Sequence, residues 1–298
     1  MEWWCAGLGW PDGRPVLRWE RGVGAASEGR VSSLGYGTGI AFRAVGERGC
    51  VGARGNPCPH GAVVPGAATQ ARCPECARLD RAHSVAADTL ADDPRTYRVY
   101  LAWFGAGLVK VGITREERGA ARLLEQGAVA FSWLGRGPLM AARRTEELLR
   151  AALGVPDRIP YAQKRAVRAT VLSGAGESAG EFAGELVRMH ARAVGLGGWP
   201  DSLERLPCEV VDHVREFGIR GLPVAGGVVG GLMDGVVVAG RLVAAAGPDL
   251  HLMEEGADGR VLVLDTRLLV GWRLGGAPGA VRTTAQVREV PGVQGGLF

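Results

Sequence analysis

Residues 97–114 have the sequence YRVYLAWFGAGLVKVGIT, which indicates how the middle of the chain folds. Two runs rich in aromatic, β-branched and aliphatic residues flank a glycine-containing turn, which is the pattern of a β-hairpin. In such a hairpin Tyr100 and Lys110 lie on neighbouring strands, close enough to share one site.

Two helix-like runs follow the hairpin. The first spans about residues 115–126 and places Arg115, Arg118 and Arg122 on one face, at i, i+3 and i+7. The second, from Leu139 to Leu153, has its leucine and alanine residues at helical spacing and includes a glutamate in its middle. The sequence therefore predicts a small α/β core over residues 94–170.

The central segment is also the basic part of the chain. Residues 95–170 contain 14 basic and six acidic residues, a net charge of +8, whereas the whole chain has a net charge of +4. A basic segment between mildly acidic ends favours a polyanionic partner, namely DNA or RNA. The alternative is a solvated face rich in arginine. Lys110 and Lys164 are the only lysines of the chain, which otherwise uses arginine as its basic residue.

The rest of the chain divides into segments of different composition. The 298 residues allow about two compact units, and 47% hydrophobic with 22% charged residues excludes a disordered chain. We predict an α+β protein in which N-terminal and C-terminal β segments flank a zinc knuckle and the α/β core. The predicted bounds are 1–45 for the first β segment, 46–93 for the knuckle region, 94–170 for the core, 171–204 for a linker with one helix, and 205–298 for the last β region.

Four of the six cysteines lie together, with the spacing Cys50-x7-Cys58-x14-Cys73-x2-Cys76. Four thiolates are a complete ligand set for a structural zinc ion, and His60 is a spare ligand that would replace Cys50. A redox pair at Cys73 and Cys76, or ordinary buried thiols, are the alternatives.

The remaining sequence signals concern the compartment. The first residues lack a basic region followed by a long apolar run, and the most apolar stretch is interrupted by charged residues and glycines. We therefore expect a cytoplasmic protein with reduced cysteines and no membrane partner.

The order of the central motifs resembles the GIY-YIG endonuclease superfamily. That superfamily has a tyrosine on one strand, a motif ending in glycine on the next, then a helical arginine and a helical glutamate. More closely, VYLAWFGAGLVKVGITREERGAARLLEQGA and GPLMAARRTEELLRAALGVPDRIPYAQKR resemble the uncharacterised bacterial family known as domain of unknown function 2797. The cysteine-rich lead-in and the late GRVLVLDTRLLVGWRL are similar to that family too. The close resemblance covers most of residues 46–170, and the wider one only about residues 97–155.

The resemblance implies roles for four residues. Tyr100, in the place of the GIY tyrosine, helps to deprotonate the attacking water, and Lys110, in the place of the second tyrosine, is the cation that lowers the pKa of Tyr100. Arg122 matches the arginine that contacts the scissile phosphate. Glu146 matches the carboxylate that holds Mg²⁺ or Mn²⁺. Arg115, Arg118 and Arg122 are the predicted nucleic-acid contacts.

The sequence departs from the superfamily pattern at three points: Arg98 replaces the first glycine of GIY, Lys110 replaces a tyrosine, and the only asparagine of the chain is Asn56. Each assignment also has a structural alternative. Tyr100 would then be a half-buried strand residue without a catalytic role, and Lys110 would be a solvated strand residue. Glu147 takes the place of Glu146 as metal ligand if the register differs by one. Arg122 and Glu146 are then members of surface ion pairs, with Glu117 or Glu125 for the arginine and with Arg143 or Arg150 for the glutamate.

Three functions follow from these features. The first is metal-dependent hydrolysis of a nucleic-acid phosphodiester at a GIY-YIG-like core. The second is a DNA- or RNA-binding module, stabilised by zinc, that no longer cuts. The third is a protein-interaction scaffold.

Overall fold

The computed structural model describes residues 3–21, 28–82, 93–173, 178–255 and 259–289. Over these residues the protein is α+β, as predicted, with fifteen strands in two sheets and six helices. The strands are β1 (Trp4–Gly9), β2 (Val16–Arg21), β3 (Glu28–Ser33), β4 (Gly39–Val45), β5 (Thr96–Trp103), β6 (Val109–Arg115), β7 (Ala130–Pro138), β8 (Glu204–Arg205), β9 (Val211–Asp212), β10 (Gly227–Val229), β11 (Val237–Ala246), β12 (Asp249–Met253), β13 (Val261–Asp265), β14 (Arg273–Gly276) and β15 (Val287–Arg288).

The helices are α1 (Pro74–Ala82), α2 (Ala121–Gln126), α3 (Leu139–Leu153), α4 (Tyr161–Ser173), α5 (Ser178–Val194) and α6 (Val214–Phe217). The predicted helix from Leu139 to Leu153 is confirmed at both ends. Residues 174–177, within the predicted linker, lie outside the described residues.

The single helix predicted over residues 115–126 is wrong. Arg115 is the last residue of β6, and a short 3-10 turn follows at Glu116–Arg118. Gly119, with φ at 47°, ends that turn, and α2 begins only at Ala121. Because a left-handed φ interrupts a right-handed helix, the three predicted arginines occupy a strand end, a turn and a helix instead of one helical face.

The chain folds as two compact units. One contains the described residues up to Ala82 together with those from Ala225 onward, and the other contains residues from Asp93 to Val224. The predicted first and last β segments therefore belong mainly to the same unit, although about 190 residues separate β4 from β11 in the sequence.

The first unit is built on a sheet of ten described strands, in the order β15-β10-β13-β12-β11-β4-β14-β1-β2-β3. Strands β12 and β13 form an apolar pair within this sheet, in which Leu250 faces Leu264 and Leu252 faces Leu262. Arg48, which is 1% exposed, donates hydrogen bonds to four backbone carbonyls, those of Pro65, Ala68, Arg267 and Val270. These bonds tie the cysteine-rich loop to the end of the sheet.

The second unit contains a sheet with the order β6-β5-β7-β8, and β9 pairs with β7. The predicted hairpin is confirmed, because β5 and β6 are antiparallel with Tyr100 opposite Gly112 and Ala102 opposite Lys110. Strand β5 lies between β6 and β7, and its residues from Val99 to Trp103 are all buried. Tyr100, Phe104, Leu123 and Phe131 belong to one apolar cluster that joins the hairpin to α2.

The helices carry no membrane span: over the described part of the chain, none is both long enough and apolar enough to cross a bilayer.

Candidate functional site

The four predicted cysteine ligands come together in the first unit. The Sγ atoms of Cys50, Cys58, Cys73 and Cys76 all lie within 4.8 Å of one another. Cys58 Sγ is 3.8 Å from Cys73 Sγ. A tetrahedral zinc ion with Zn–S bonds of about 2.3 Å places its sulfur ligands about 3.8 Å apart. The donor set and its spacing therefore fit a structural zinc ion.

Backbone N–H groups around the cluster donate hydrogen bonds to the cysteine sulfurs and so favour their negatively charged form. Cys50 Sγ accepts hydrogen bonds from the backbone N–H groups of Gly52 at 3.4 Å and Cys73 at 3.1 Å. Backbone N–H groups of Ala62 and His60 lower the pKa of Cys58 to about 6. Donors of this kind stabilise thiolates, the form that binds metal, and fix their direction. Burial has the opposite effect at two of the cysteines, since it raises the pKa of Cys50, in spite of its two N–H donors, and the pKa of Cys76.

The loop geometry explains the loose spacing between the first two cysteines. Gly52 has φ at 75°, and a Cβ at this position would lie 2.7 Å from the carbonyl carbon of Pro57 and 2.8 Å from the Cys58 nitrogen. Only glycine permits this close return of the chain. The seven residues between Cys50 and Cys58 therefore form a tight reversal that brings both sulfurs to one side.

His60 does not belong to the quartet. Its Nε2 lies 3.2 Å from Glu75 Oε2, and both side chains are more than half exposed. This pair joins the loop after Cys58 to the first turn of α1, next to the cluster. The described cysteines outside the cluster are Cys5, which is buried, and Cys208, which is exposed.

The second candidate site is centred on Tyr100, in the other unit. Tyr100 is only 2% exposed, so it is not a half-buried strand residue. Its hydroxyl accepts a hydrogen bond of 2.9 Å from Gln126 Nε2, and its ring meets Trp133 edge to face at 6.2 Å. Burial raises the pKa of Tyr100 above its ordinary value. The expected lowering of this pKa by Lys110 therefore does not prevail.

Lys110 is buried beside that ring. It is 8% exposed, which excludes the solvated alternative, and its Nζ lies 5.9 Å from the centroid of Tyr100. The amine donates a hydrogen bond of 3.0 Å to the carbonyl oxygen of Asp157. Burial and the charge of Arg122 lower the pKa of Lys110 to about 8, against the opposing effect of Glu146.

Glu146 shares this electrostatic environment. It lies on α3 and is partly buried, whereas its neighbour Glu147 is exposed. Burial raises the pKa of Glu146, and the positive charge of Lys110 opposes that shift. The charges of Arg122 and Glu146 also act on Tyr100. The structure thus brings Tyr100, Lys110, Arg122 and Glu146 into one electrostatic neighbourhood.

The three arginines predicted to contact nucleic acid are ion-paired. Arg118 Nη2 donates to both carboxylate oxygens of Glu125, at 2.7 and 2.8 Å, and Arg122 Nη1 lies 3.5 Å from the same carboxylate. Arg115 Nη1 is 3.9 Å from Glu117. The alternative in which Arg122 pairs with Glu125 is therefore confirmed, and it reduces the positive charge of this face.

Sequence reasoning missed Gln126 and Asp157, which hold the Tyr100 hydroxyl and the Lys110 amine. No motif marks either residue. Lys164 carried a signal, as one of two lysines in an arginine-rich chain, but its partner, the carbonyl of Gln126 at 3.1 Å, is visible only in the fold.

Together the fold and the thiol cluster define an α+β protein with a candidate zinc knuckle and a separate unit that contains buried titratable side chains. A family model described as Protein of unknown function (DUF2797) matches residues 37–274. Because this match covers more than half of the chain, the protein belongs to the DUF2797 family, as the sequence predicted. No curated protein and no solved structure matches the chain.

Proposed function

We propose that this protein is a zinc-stabilised, metal-dependent hydrolase of nucleic-acid phosphodiesters, with its reaction centre at Tyr100, Lys110, Arg122 and Glu146. The observation that carries the proposal is the position of Lys110, buried between the ring of Tyr100 and the carbonyl of Asp157. Titratable groups with pKa values displaced by burial and by specific partners concentrate at catalytic sites.

The displaced pKa values of Tyr100 and Lys110 give these two strand residues different roles. Burial keeps Tyr100 protonated at neutral pH, so this residue acts through the hydrogen bond of its hydroxyl. With a pKa of about 8, Lys110 exists partly as a neutral amine near physiological pH. A group that titrates near the working pH is an efficient general base. We assign the proton of the attacking water to Lys110.

Arg122 and Glu146 complete the chemistry. Phosphodiester hydrolysis builds negative charge on the non-bridging oxygens, and a guanidinium such as that of Arg122 stabilises this charge. Glu146 would hold Mg²⁺ or Mn²⁺, since one carboxylate with water ligands suffices for such an ion. When bound there, the metal would supply further stabilisation of the phosphoryl charge. The resemblance of residues 97–155 to GIY-YIG nucleases supports these roles of Arg122 and Glu146, whereas the role of general base moves from Tyr100 to Lys110.

The remaining parts of the proposal concern the zinc site and the compartment. A closed shell of four thiolates carries no open position for a substrate, so the zinc ion stabilises the first unit and takes no part in hydrolysis. All six cysteines lie in the described part of the chain and none forms a disulfide bond, and we propose the cytoplasm as the compartment that keeps them reduced.

A cleavage assay tests the proposal. Labelled single-stranded, flapped and branched DNA and RNA are incubated with the purified protein in Mg²⁺, in Mn²⁺ and in chelator. Glu146→Ala should abolish cleavage, whereas Glu147→Ala, one position away and exposed, should leave it unchanged. Equal cleavage by both variants would place the metal elsewhere.

A second candidate is a nucleic-acid-binding module that does not cut. One observation favours it: Tyr100 is only 2% exposed, so a substrate phosphate has little access to its hydroxyl. In this case all variants of the cleavage assay would bind the substrates, none would cut, and binding would weaken steeply with salt.

A further inference from the structure

Gln126 is the last residue of α2 and a buried polar residue of the second unit. It is 6% exposed, and its Nε2 donates the hydrogen bond of 2.9 Å that reaches the Tyr100 hydroxyl. The two residues belong to different elements, since Tyr100 lies on β5. This contact is therefore a tertiary one, and it fixes the direction of the hydroxyl.

The first turn of α4 holds the end of α2 in place. Tyr161 Oη donates a hydrogen bond of 3.2 Å to the carbonyl of Glu125, and Lys164 Nζ donates one of 3.1 Å to the carbonyl of Gln126. Lys164 is 3% exposed and lies over the ring of Phe104 at 4.0 Å. A cation at the C-terminus of a helix is favourable for the helix dipole. The backbone of Gln126 is thus anchored independently of its side chain.

The direction of the Gln126 hydrogen bond determines what Tyr100 can do. A tyrosine hydroxyl has one proton to donate and lone pairs that accept. Because the amide of Gln126 donates to the oxygen, the proton of Tyr100 is not consumed by this contact. If the amide presented its oxygen instead, the hydroxyl would donate its hydrogen bond to Gln126.

We propose that Gln126 is a positioning residue of the hydrolase site, which orients Tyr100 as a hydrogen-bond donor toward a non-bridging oxygen of the substrate phosphodiester. This inference rests on the proposed function. It extends that function by assigning Tyr100 a place in charge stabilisation, beside Arg122, while Lys110 receives the proton of water. Donors that are fixed before the reaction contribute more to the rate than donors that must reorient.

The charged groups around this pair are known. Arg122, Glu146 and Arg118 act on the Tyr100 hydroxyl, and Lys110 lies over its ring. On the other side Lys164 contacts the backbone of Gln126. A titratable group introduced at position 126 will therefore respond to two arginines and a lysine as well as to burial.

The substitution Gln126→Glu tests the direction of the hydrogen bond. A protonated carboxyl donates to Tyr100 as the amide does, but an ionised carboxylate only accepts, so the Tyr100 hydroxyl would donate its hydrogen bond to the introduced carboxylate and no longer to the substrate. We expect the ratio of variant to wild-type cleavage to fall at least tenfold as the introduced carboxyl ionises. Gln163→Glu, at an exposed position of α4, is the matched control, and its ratio of variant to wild-type cleavage should not change with pH. A pH-independent ratio for Gln126→Glu would overturn the inference.

A second measurement does not depend on activity. With 3-fluorotyrosine incorporated, fluorine NMR follows the ionisation of Tyr100, and the resonance is assigned by its absence in Tyr100→Phe. Removing a donor destabilises the phenolate, so Gln126→Met should raise the pKa of Tyr100. A lowered pKa would mean that the hydroxyl donates to Gln126, and would overturn the inference. If the wild-type protein cuts none of the substrates, the proposed function fails, and the NMR result alone decides the orientation of Tyr100.

Discussion

The ring of Tyr100 lies directly over the Cα of Gly112, its partner across β5 and β6. The two residues are opposite in the register, and a Cβ at position 112 would lie 2.5 Å from Cζ and 2.9 Å from Cε2 of Tyr100. Such distances are far inside van der Waals contact. The glycine of the second motif is therefore required by the tyrosine of the first, and the relationship is steric.

The substitution Gly112→Ala should displace the Tyr100 ring. Overpacking a tight site costs about 1–3 kcal/mol of unfolding free energy, and we expect the cleavage rate to fall because the hydroxyl loses its place next to Gln126. Denaturant unfolding and the cleavage assay provide the measurement. Gly197→Ala, where a Cβ has no neighbour within 4 Å, serves as the control. Unchanged stability of Gly112→Ala would contradict the contact.

The four-thiol cluster should hold one zinc ion per chain. Cys76→Ser removes a ligand from a closed shell, and metal binding in small zinc sites is coupled to folding by about 10 kcal/mol or more. We expect zinc content, measured by mass spectrometry, to fall well below one per chain and the unfolding temperature to decrease.

Two control variants make the zinc test specific. Cys208→Ser changes an exposed thiol outside the cluster, and His60→Ala removes the histidine that bonds Glu75. Both should retain the full zinc content. Loss of zinc in His60→Ala with retention in Cys50→Ser would assign the fourth ligand to the histidine.

Lys110 should stabilise the fold less than an apolar residue does, and the difference should depend on pH. Its pKa is about 8 in the folded protein and about 10.4 when unfolded. Below pH 8 the folded state must bury the charge, so wild-type stability rises as the pH increases from 8 toward 10.4. Lys110→Met avoids this cost, and we expect it to be more stable than wild type by about 1 kcal/mol or more at pH 7.

That stability gain should shrink toward pH 10 and accompany a loss of cleavage of about 100-fold or more. Denaturant unfolding at several pH values measures the first effect, and the cleavage assay the second. Lower stability of Lys110→Met at pH 7 would show that the hydrogen bond to Asp157 outweighs the buried charge. Full activity in the variant would remove Lys110 from the reaction.

The hairpin, α3 and the cysteine quartet were predictable because each depends on a local pattern: strand-like runs around a turn, helical spacing of leucines, and thiols at short separations. The site was predictable only in part. Gln126 and Asp157 act through contacts between segments that are distant in the sequence, so residue spacing does not predict either of them. The prediction of one helix over residues 115–126 was wrong for a local reason. The arginines have helical spacing, but the positive φ of Gly119 interrupts the helix.

Glu125 should limit the affinity of the basic face for nucleic acid. Its carboxylate pairs with both Arg118 and Arg122, so Glu125→Gln frees two guanidinium groups for phosphate. We expect tighter binding to single-stranded DNA and a steeper dependence of log K on log salt, by about one per additional phosphate contact. Glu209→Gln makes the same change of charge at an exposed position and controls for net charge. Fluorescence anisotropy at several salt concentrations measures both variants. Equal gains in affinity would mean that overall charge, and not release of these two arginines, sets the binding, and the basic face would then have no specific role.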